Sequence, residues 1–195
     1  MSSEISDTRK KILEAASELL LASNGQGVRM ADIATAAGVS RQAVYLHFES
    51  RTELMVATVR YLDDLHGLTE RIRPVNEAVA GRQKLDTFVK FWGNYIPEIY
   101  GVAKALMAAR DTDEAAMAAW NDRMNSVRAG CREIVEALAG DGELATEWSE
   151  DAAVDMMWTI LSIENWERLT IDRGWTVDEY VERMRRLLTR GFTRQ

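Results

Sequence analysis

The 195-residue chain has one cysteine, Cys131, and two prolines, Pro74 and Pro97. A lone cysteine excludes an internal disulfide and any multi-cysteine metal cluster. No stretch shows sustained two-residue alternation of β-branched residues, so no sheet is predicted. No apolar run is long enough to span a bilayer, and the polar N-terminus lacks the apolar stretch of a secretory leader. These absences predict a cytoplasmic protein that does not enter a membrane. There is also no His, Cys and carboxylate set at metal-ligand spacing, no nucleophile–base pair and no phosphate-binding loop. No cofactor or metal is expected, and an enzyme is disfavoured.

What is present is alanine, leucine, glutamate and arginine in helical patterns, which predict an all-α fold of about nine helices. The net charge is −7, and it is unevenly placed. Residues 1–60 hold seven basic and seven acidic residues; residues 61–195 hold 17 basic and 24 acidic ones. The first part is neutral, with Arg9, Lys10, Lys11, Arg29, Arg41 and Arg51 around one motif.

That motif is MADIATAAGVSRQAVYLHFESRTEL, residues 30–54. Met30, Ile33 and Ala34 form one face of a short helix. Gly38-Val39 makes a sharp turn, because glycine tolerates the positive φ needed there. Ser40 caps a second helix, which carries Arg41, Gln42, Tyr45 and His47. It is too polar to be core and suits a DNA major groove. Val44 and Phe48 would hold it to the domain. Ser50 and Glu53 form an S-x-x-E box that starts the next helix.

The segment GVSRQAVYLHFESRTEL closely resembles the DNA-binding signature of the tetracycline-repressor (TetR) family of bacterial regulators. Residues 8–16, TRKKILEAA, are similar to that family's first helix. The resemblance covers about a quarter of the chain and implies a DNA-contacting set of Arg29, Ser40, Arg41, Gln42, Ala43, Tyr45, His47 and Arg51. Arg41, Gln42 and Ala43 match base-facing positions: Arg forks onto guanine, Gln onto adenine, and an alanine methyl can touch a thymine methyl. Tyr45 and His47 match positions that grip phosphates. Arg51 stands where the family usually has Lys, at a helix N-terminus that itself favours a phosphate. Arg29 departs from the pattern, which has Thr or Ser there. It cannot cap, but it could reach a phosphate or remain a solvated loop charge.

Punctuation divides the rest. A first helix is expected from about Thr8 to Asn24. After Ser50 a helix is expected to reach about Arg71 and to join head to body. Pro74 to Gly81 reads as a loop, Arg82 to Ile96 as a helix, and Pro97 as the start of another that ends near Arg110. Further helices are expected from Asp111–Asp113 to Gly140, from Ser149 to Gly174, and from Thr176 onward, where Glu179 completes a second capping box. This predicts a helix-turn-helix domain over residues 1–55 and a ligand-binding and dimerisation domain over residues 56–195.

Residues 152–166 are apolar on every side, so a helix there must be covered all round. The simplest second cover is another copy of the chain, and the TetR resemblance implies a dimer interface at the same place. Met156, Ile160, Ile163, Tyr180, Met184, Leu187 and Leu188 are the expected contact residues, with burial inside one protomer as the alternative. A seam of Met117, Trp120, Met124, Val127, Cys131, Ile134 and Leu138 runs along a preceding helix. Phe88, Trp92, Tyr95, Trp120, Met124, Met157, Leu161 and Glu164 are candidates for a small-molecule site. That assignment rests mainly on the resemblance, since each side chain would serve equally well as plain core.

The resulting expectation is a homodimeric, sequence-specific DNA-binding transcriptional regulator. It would repress until a small hydrophobic effector releases it from a near-palindromic duplex. A regulator controlled by a protein partner is the alternative, and an all-α enzyme acting on a hydrophobic substrate is the remote one.

Overall fold

The structure is a computed structural model that describes residues 6–194. Among these the chain forms ten α-helices and one π-helical turn, with no β-strand. An isolated antiparallel bridge joins Leu144 and Thr193. The helices are α1 (Asp7–Ala22), α2 (Met30–Ala36), α3 (Arg41–His47), α4 (Arg51–Leu65), α5 (Leu68–Glu77), α6 (Gly81–Ala109), α7 (Glu114–Gly140), α8 (Glu150–Ile160), α9 (Ile163–Glu167) and α10 (Val177–Phe192), with the π turn at Arg168–Asp172. Among the described residues no helix is long and apolar enough to cross a membrane.

Two compact units divide the chain. The first holds the residues up to Gly67 together with Glu98–Asp122, and the second holds Leu68–Pro97 and Arg123 onward. Helices α6 and α7 are thus each shared between the two units, with the division after Pro97 in α6 and after Asp122 in α7.

Within the first unit, α1 packs against α2, α3 and α4 through Ile12, Leu13, Ala16 and Leu20. The end of α1 meets the second half of α6 backbone to backbone. A Cβ added to Gly101 would overlap the Leu20 carbonyl, and one added to Gly25 would overlap the Gly101 carbonyl. Helix α4 stops at Leu65, short of the expected Arg71, because Gly67 takes a φ of +61° and ends the helix in the left-handed conformation. His66, given no role from sequence, lies at that stop with Nδ1 3.1 Å from a Glu98 carboxylate oxygen.

Three other expectations fail on helix boundaries. Pro74 lies inside α5, so only residues 78–80 remain as the loop. Pro97 does not start a helix but lies within the single 29-residue α6. It removes one hydrogen bond, to the Gly93 carbonyl, but buried Ile96, Ile99 and Tyr100 on either side favour continuation. The segment expected as one helix from Ser149 to Gly174 is three pieces. Ser162 accepts from the Asn165 backbone N–H and starts α9, while the Asn165 amide donates to the Thr159 carbonyl at 2.7 Å and satisfies the end of α8.

In the second unit the core is built from α6, α7, α8 and α10. Trp92 donates its indole N–H to the Leu161 carbonyl at 2.8 Å. Phe88 lies against Gly130, and Gly93 leaves room for Tyr180 and Val181. The expected capping box of α10 is present, with Thr176 accepting from the Glu179 N–H at 3.1 Å and the Glu179 carboxylate accepting from the Thr176 N–H at 3.1 Å. Of the seam along α7, Trp120, Met124, Val127, Cys131, Ile134 and Leu138 are buried and Met117 is exposed. Burial pushes the Cys131 thiol up to about 12, so it stays protonated and acts as a small apolar side chain.

Candidate nucleic-acid interface

Helices α2 and α3 form the helix-turn-helix, with Gly38 at φ +67° in the turn. Ser40 caps α3 by accepting from the Ala43 N–H at 3.1 Å. Val44 and Phe48 are fully buried and fix α3 to the unit. Its other side is open, with Arg41, Gln42, Tyr45 and Leu46 exposed and Ala43 and His47 half-buried. The Arg41 guanidinium lies over the Tyr45 ring, 5.6 Å from its centroid. Such stacking extends the charge along the helix surface instead of letting it fold away.

The cations near the motif are not equivalent. Arg9 turns inward, which sequence reasoning missed. It donates to the His47 carbonyl at 3.0 Å and lies 4.2 Å from the centroid of the Phe48 ring. It therefore closes the C-terminal end of α3 instead of facing a ligand. Lys10 pairs with Glu14 at 3.8 Å. Arg29 stands at the N-cap of α2 without capping through its side chain. Instead the Asp32 carboxylate accepts from the Arg29 backbone N–H at 2.9 Å and from its guanidinium at 2.9 and 3.0 Å. Those hydrogen bonds hold the Asp32 carboxyl below the usual carboxylate range. A phosphate at Arg29 would have to share the guanidinium with Asp32. Arg51, half-buried at the first position of α4, donates to the Val28 carbonyl at 3.3 Å and ties α4 to the entry of α2. Ser50 accepts from the Glu53 N–H as expected, but the Glu53 carboxylate reaches one residue further back, to the Glu49 N–H at 2.6 Å.

The other candidate residues fall into two groups. Phe88, Trp92, Tyr95, Met124, Met157 and Leu161 are buried in the second unit, and Glu164 is half-buried there. Trp120 is buried in the first unit, with the Arg110 guanidinium 5.7 Å from its ring centroid. Trp92 has already committed its only donor to Leu161.

Of the residues expected to face a partner copy, Ile163, Tyr180 and Leu188 are fully buried within one chain, and Met184 is 6% exposed. These four have little or no surface to offer, because the protomer core already takes Ile163 on α9 and the Tyr180, Met184 and Leu188 face of α10. Met156 and Leu187 remain 44% and 51% exposed, and Ile160 is half-buried. Helix α8 is accordingly two-sided, with Asp155, Met156 and Thr159 outward and Ala153, Val154 and Met157 inward. The Tyr180 hydroxyl is buried without a hydrogen-bond partner among the described residues, and burial pushes the phenol well above its ordinary pKa. Nothing in the local sequence signals this, since a tyrosine on an apolar stripe usually finds a partner.

Residues 12–58 match the family model for bacterial regulatory proteins of the tetR family. The HTH-type transcriptional regulator CymR of Pseudomonas putida is 28% identical over 163 residues, covering 80% of this chain and 75% of that protein. The HTH-type transcriptional regulator TtgR, also of Pseudomonas putida, is 36% identical over 75 residues, covering 38% of this chain and 34% of that one. Among solved structures, a transcriptional regulator from Saccharomonospora viridis in complex with choline superposes with a TM-score of 0.82, at 17% identity, over 98% of this chain and 100% of that one. FadR from Bacillus subtilis in complex with stearoyl-CoA superposes with a TM-score of 0.73, at 16% identity, over 93% and 98%. At such identities these structures establish the fold. With a capped recognition helix presented by Val44 and Phe48 inside the matched segment, residues 12–58 form a helix-turn-helix of the tetR type, and the chain is a DNA-binding transcriptional regulator similar to that family.

Proposed function

We propose that the protein acts in the cytoplasm as a homodimeric repressor that reads a near-palindromic duplex and leaves it when a small apolar effector binds. The observation that carries the reading is the open outer face of α3, with Arg41, Gln42 and Tyr45 exposed over buried Val44 and Phe48. Arg41, Gln42 and Ala43 contact bases; Ser40, Tyr45, His47, Arg51 and Arg29 contact phosphates. Two such helices enter successive major grooves, roughly 34–36 Å apart.

The partner copy packs on the exposed parts of α8 and α10, where Met156, Ile160 and Leu187 supply apolar surface. Effector binding is supported by the buried aromatic and methionine residues of the second unit and by the Tyr180 hydroxyl, which has no hydrogen-bond partner among the described residues. A neutral phenol in an apolar setting suits a molecule with one hydrogen-bond acceptor. The neighbours crystallised with choline and with stearoyl-CoA differ widely in ligand chemistry. The interior residues of this chain favour an apolar molecule. To swing the population from 1:99 to 99:1, an effector must discriminate between the two states by about 5.5 kcal/mol.

The test is binding of the full chain to DNA upstream of its own coding region, repeated with a panel of hydrophobic compounds. The expected result is salt-dependent, sequence-selective binding, weakened by a compound whose own affinity DNA reduces by the same factor. Compounds that bind without moving DNA affinity would overturn the effector and favour control by a protein partner. Indifference to sequence would overturn the regulator's reading of bases.

A further inference from the structure

The outer face of α3 carries one side chain that the DNA-contacting set leaves out. Leu46 is 80% exposed, on a seven-residue helix whose buried side is filled by Val44 and Phe48. It is four residues after Gln42, so the two share one column of the helix surface. The neighbouring column is Arg41 and Tyr45, joined by their stacking contact. Leu46 therefore stands one turn beyond the base-facing Gln42, beside the phosphate-facing Tyr45, with a bare isobutyl group and no polar atom.

In a major groove the base edges present donors, acceptors and one apolar feature, the 5-methyl group of thymine. Gln42 forks onto an adenine, and Leu46 follows it by one turn, about 5.4 Å along the helix axis. That distance corresponds to between one and two base-pair steps of about 3.4 Å. We propose that Leu46 is a specificity-determining residue that packs on a thymine methyl one or two base pairs from the pair read by Gln42, so that each half-site requires a thymine there for its methyl group. The proposal rests on the DNA-reading role of α3.

The test uses the full chain and duplexes that it selects from a randomised library. Each thymine of the selected duplex is replaced in turn by uracil, which removes only the methyl. At one position per half-site, uracil should weaken wild-type binding about fourfold, and replacement in both half-sites should weaken it about fifteenfold, the worth of one and two buried methyl groups. Leu46→Ala should bind both duplexes alike, and Leu46→Met should keep the preference for thymine. The side chain is exposed, so both variants should melt with the wild type. Wild-type binding indifferent to uracil at every position would overturn the proposal, as would a uracil effect of equal size in Leu46→Ala; either result leaves the regulator reading intact. A selection that enriches no sequence would overturn that reading and this inference together.

Discussion

The hydroxyl of Thr52, the second residue of α4, donates to the carboxylate of Asp113 at 2.5 Å. The same carboxylate accepts from the backbone N–H groups of Ala115 and Ala116 and so caps α7. One buried threonine thus joins the helix that follows the reading motif to the start of a helix 61 residues away. The Thr52 hydroxyl and the Ala116 N–H hold the Asp113 carboxyl below its ordinary value. A carboxyl whose pKa is lowered by folding stabilises the fold fully above the unfolded value of about 3.9, and that contribution is lost as the pH falls through the folded value. Thr52→Val should lower the melting temperature at pH 7 by about 2–4 °C. The gap between variant and wild type should shrink in acid below that unfolded value. A gap that stays constant down to about pH 2.5, well below that unfolded value, would show that the loss is packing and not the charged acceptor.

Gly101 admits no side chain. A methyl group there would overlap the Leu20 carbonyl, which belongs to backbone and cannot rotate away. Gly101→Ala should destabilise the protein by roughly 3 kcal/mol, the upper end of overpacking costs. Gly191, inside α10, has open space at the same position. Gly191→Ala should be stabilising by about 0.5–1 kcal/mol through helix propensity. Denaturant unfolding of the two variants checks the contrast, and equal effects would contradict the packing described.

Arg41→Ala should weaken specific binding by roughly 1–3 kcal/mol and relax preference at one position per half-site. Arg51→Ala should weaken all duplexes alike and reduce the salt slope by about one unit. If the slope is unchanged, Arg51 serves only the Val28 carbonyl.

Tyr180→Phe removes a buried hydroxyl that has no partner among the described residues. Stability should stay level or rise by about 1 kcal/mol, since an unsatisfied group is deleted. Affinity for an effector bearing a carbonyl or carboxylate should fall. A loss of stability in thermal unfolding would mean that the hydroxyl is satisfied by the fold or by water.

Leu187→Glu and Met156→Glu place a carboxylate on apolar surface that one chain leaves exposed. In a two-fold interface each change appears twice, so dissociation should rise by roughly two orders of magnitude. Sedimentation equilibrium with circular dichroism separates splitting from unfolding. A folded, fully dimeric pair of variants would move the interface elsewhere.

The reading head and the helical class were legible in the order of residues alone. The turn at Gly38, the caps at Ser40, Ser50, Ser149 and Thr176, and the apolar pairs of the motif are local signals. Each is satisfied by a hydrogen bond or contact within a few residues. Composition excluded a sheet because no segment alternated. Packing settled the rest. Pro97 sits inside one long helix because buried neighbours outweigh one lost hydrogen bond. Arg9 could be counted by its charge, but its use on the His47 carbonyl and the Phe48 ring depends on α1 crossing α3. The apolar stripe on α10 was legible as a stripe, yet whether the protomer or a second copy covers it is a question of packing. The fold buries Tyr180, Met184 and Leu188 and leaves Leu187 outside. Periodicity reports which face seeks cover; only the assembled helices settle what covers it.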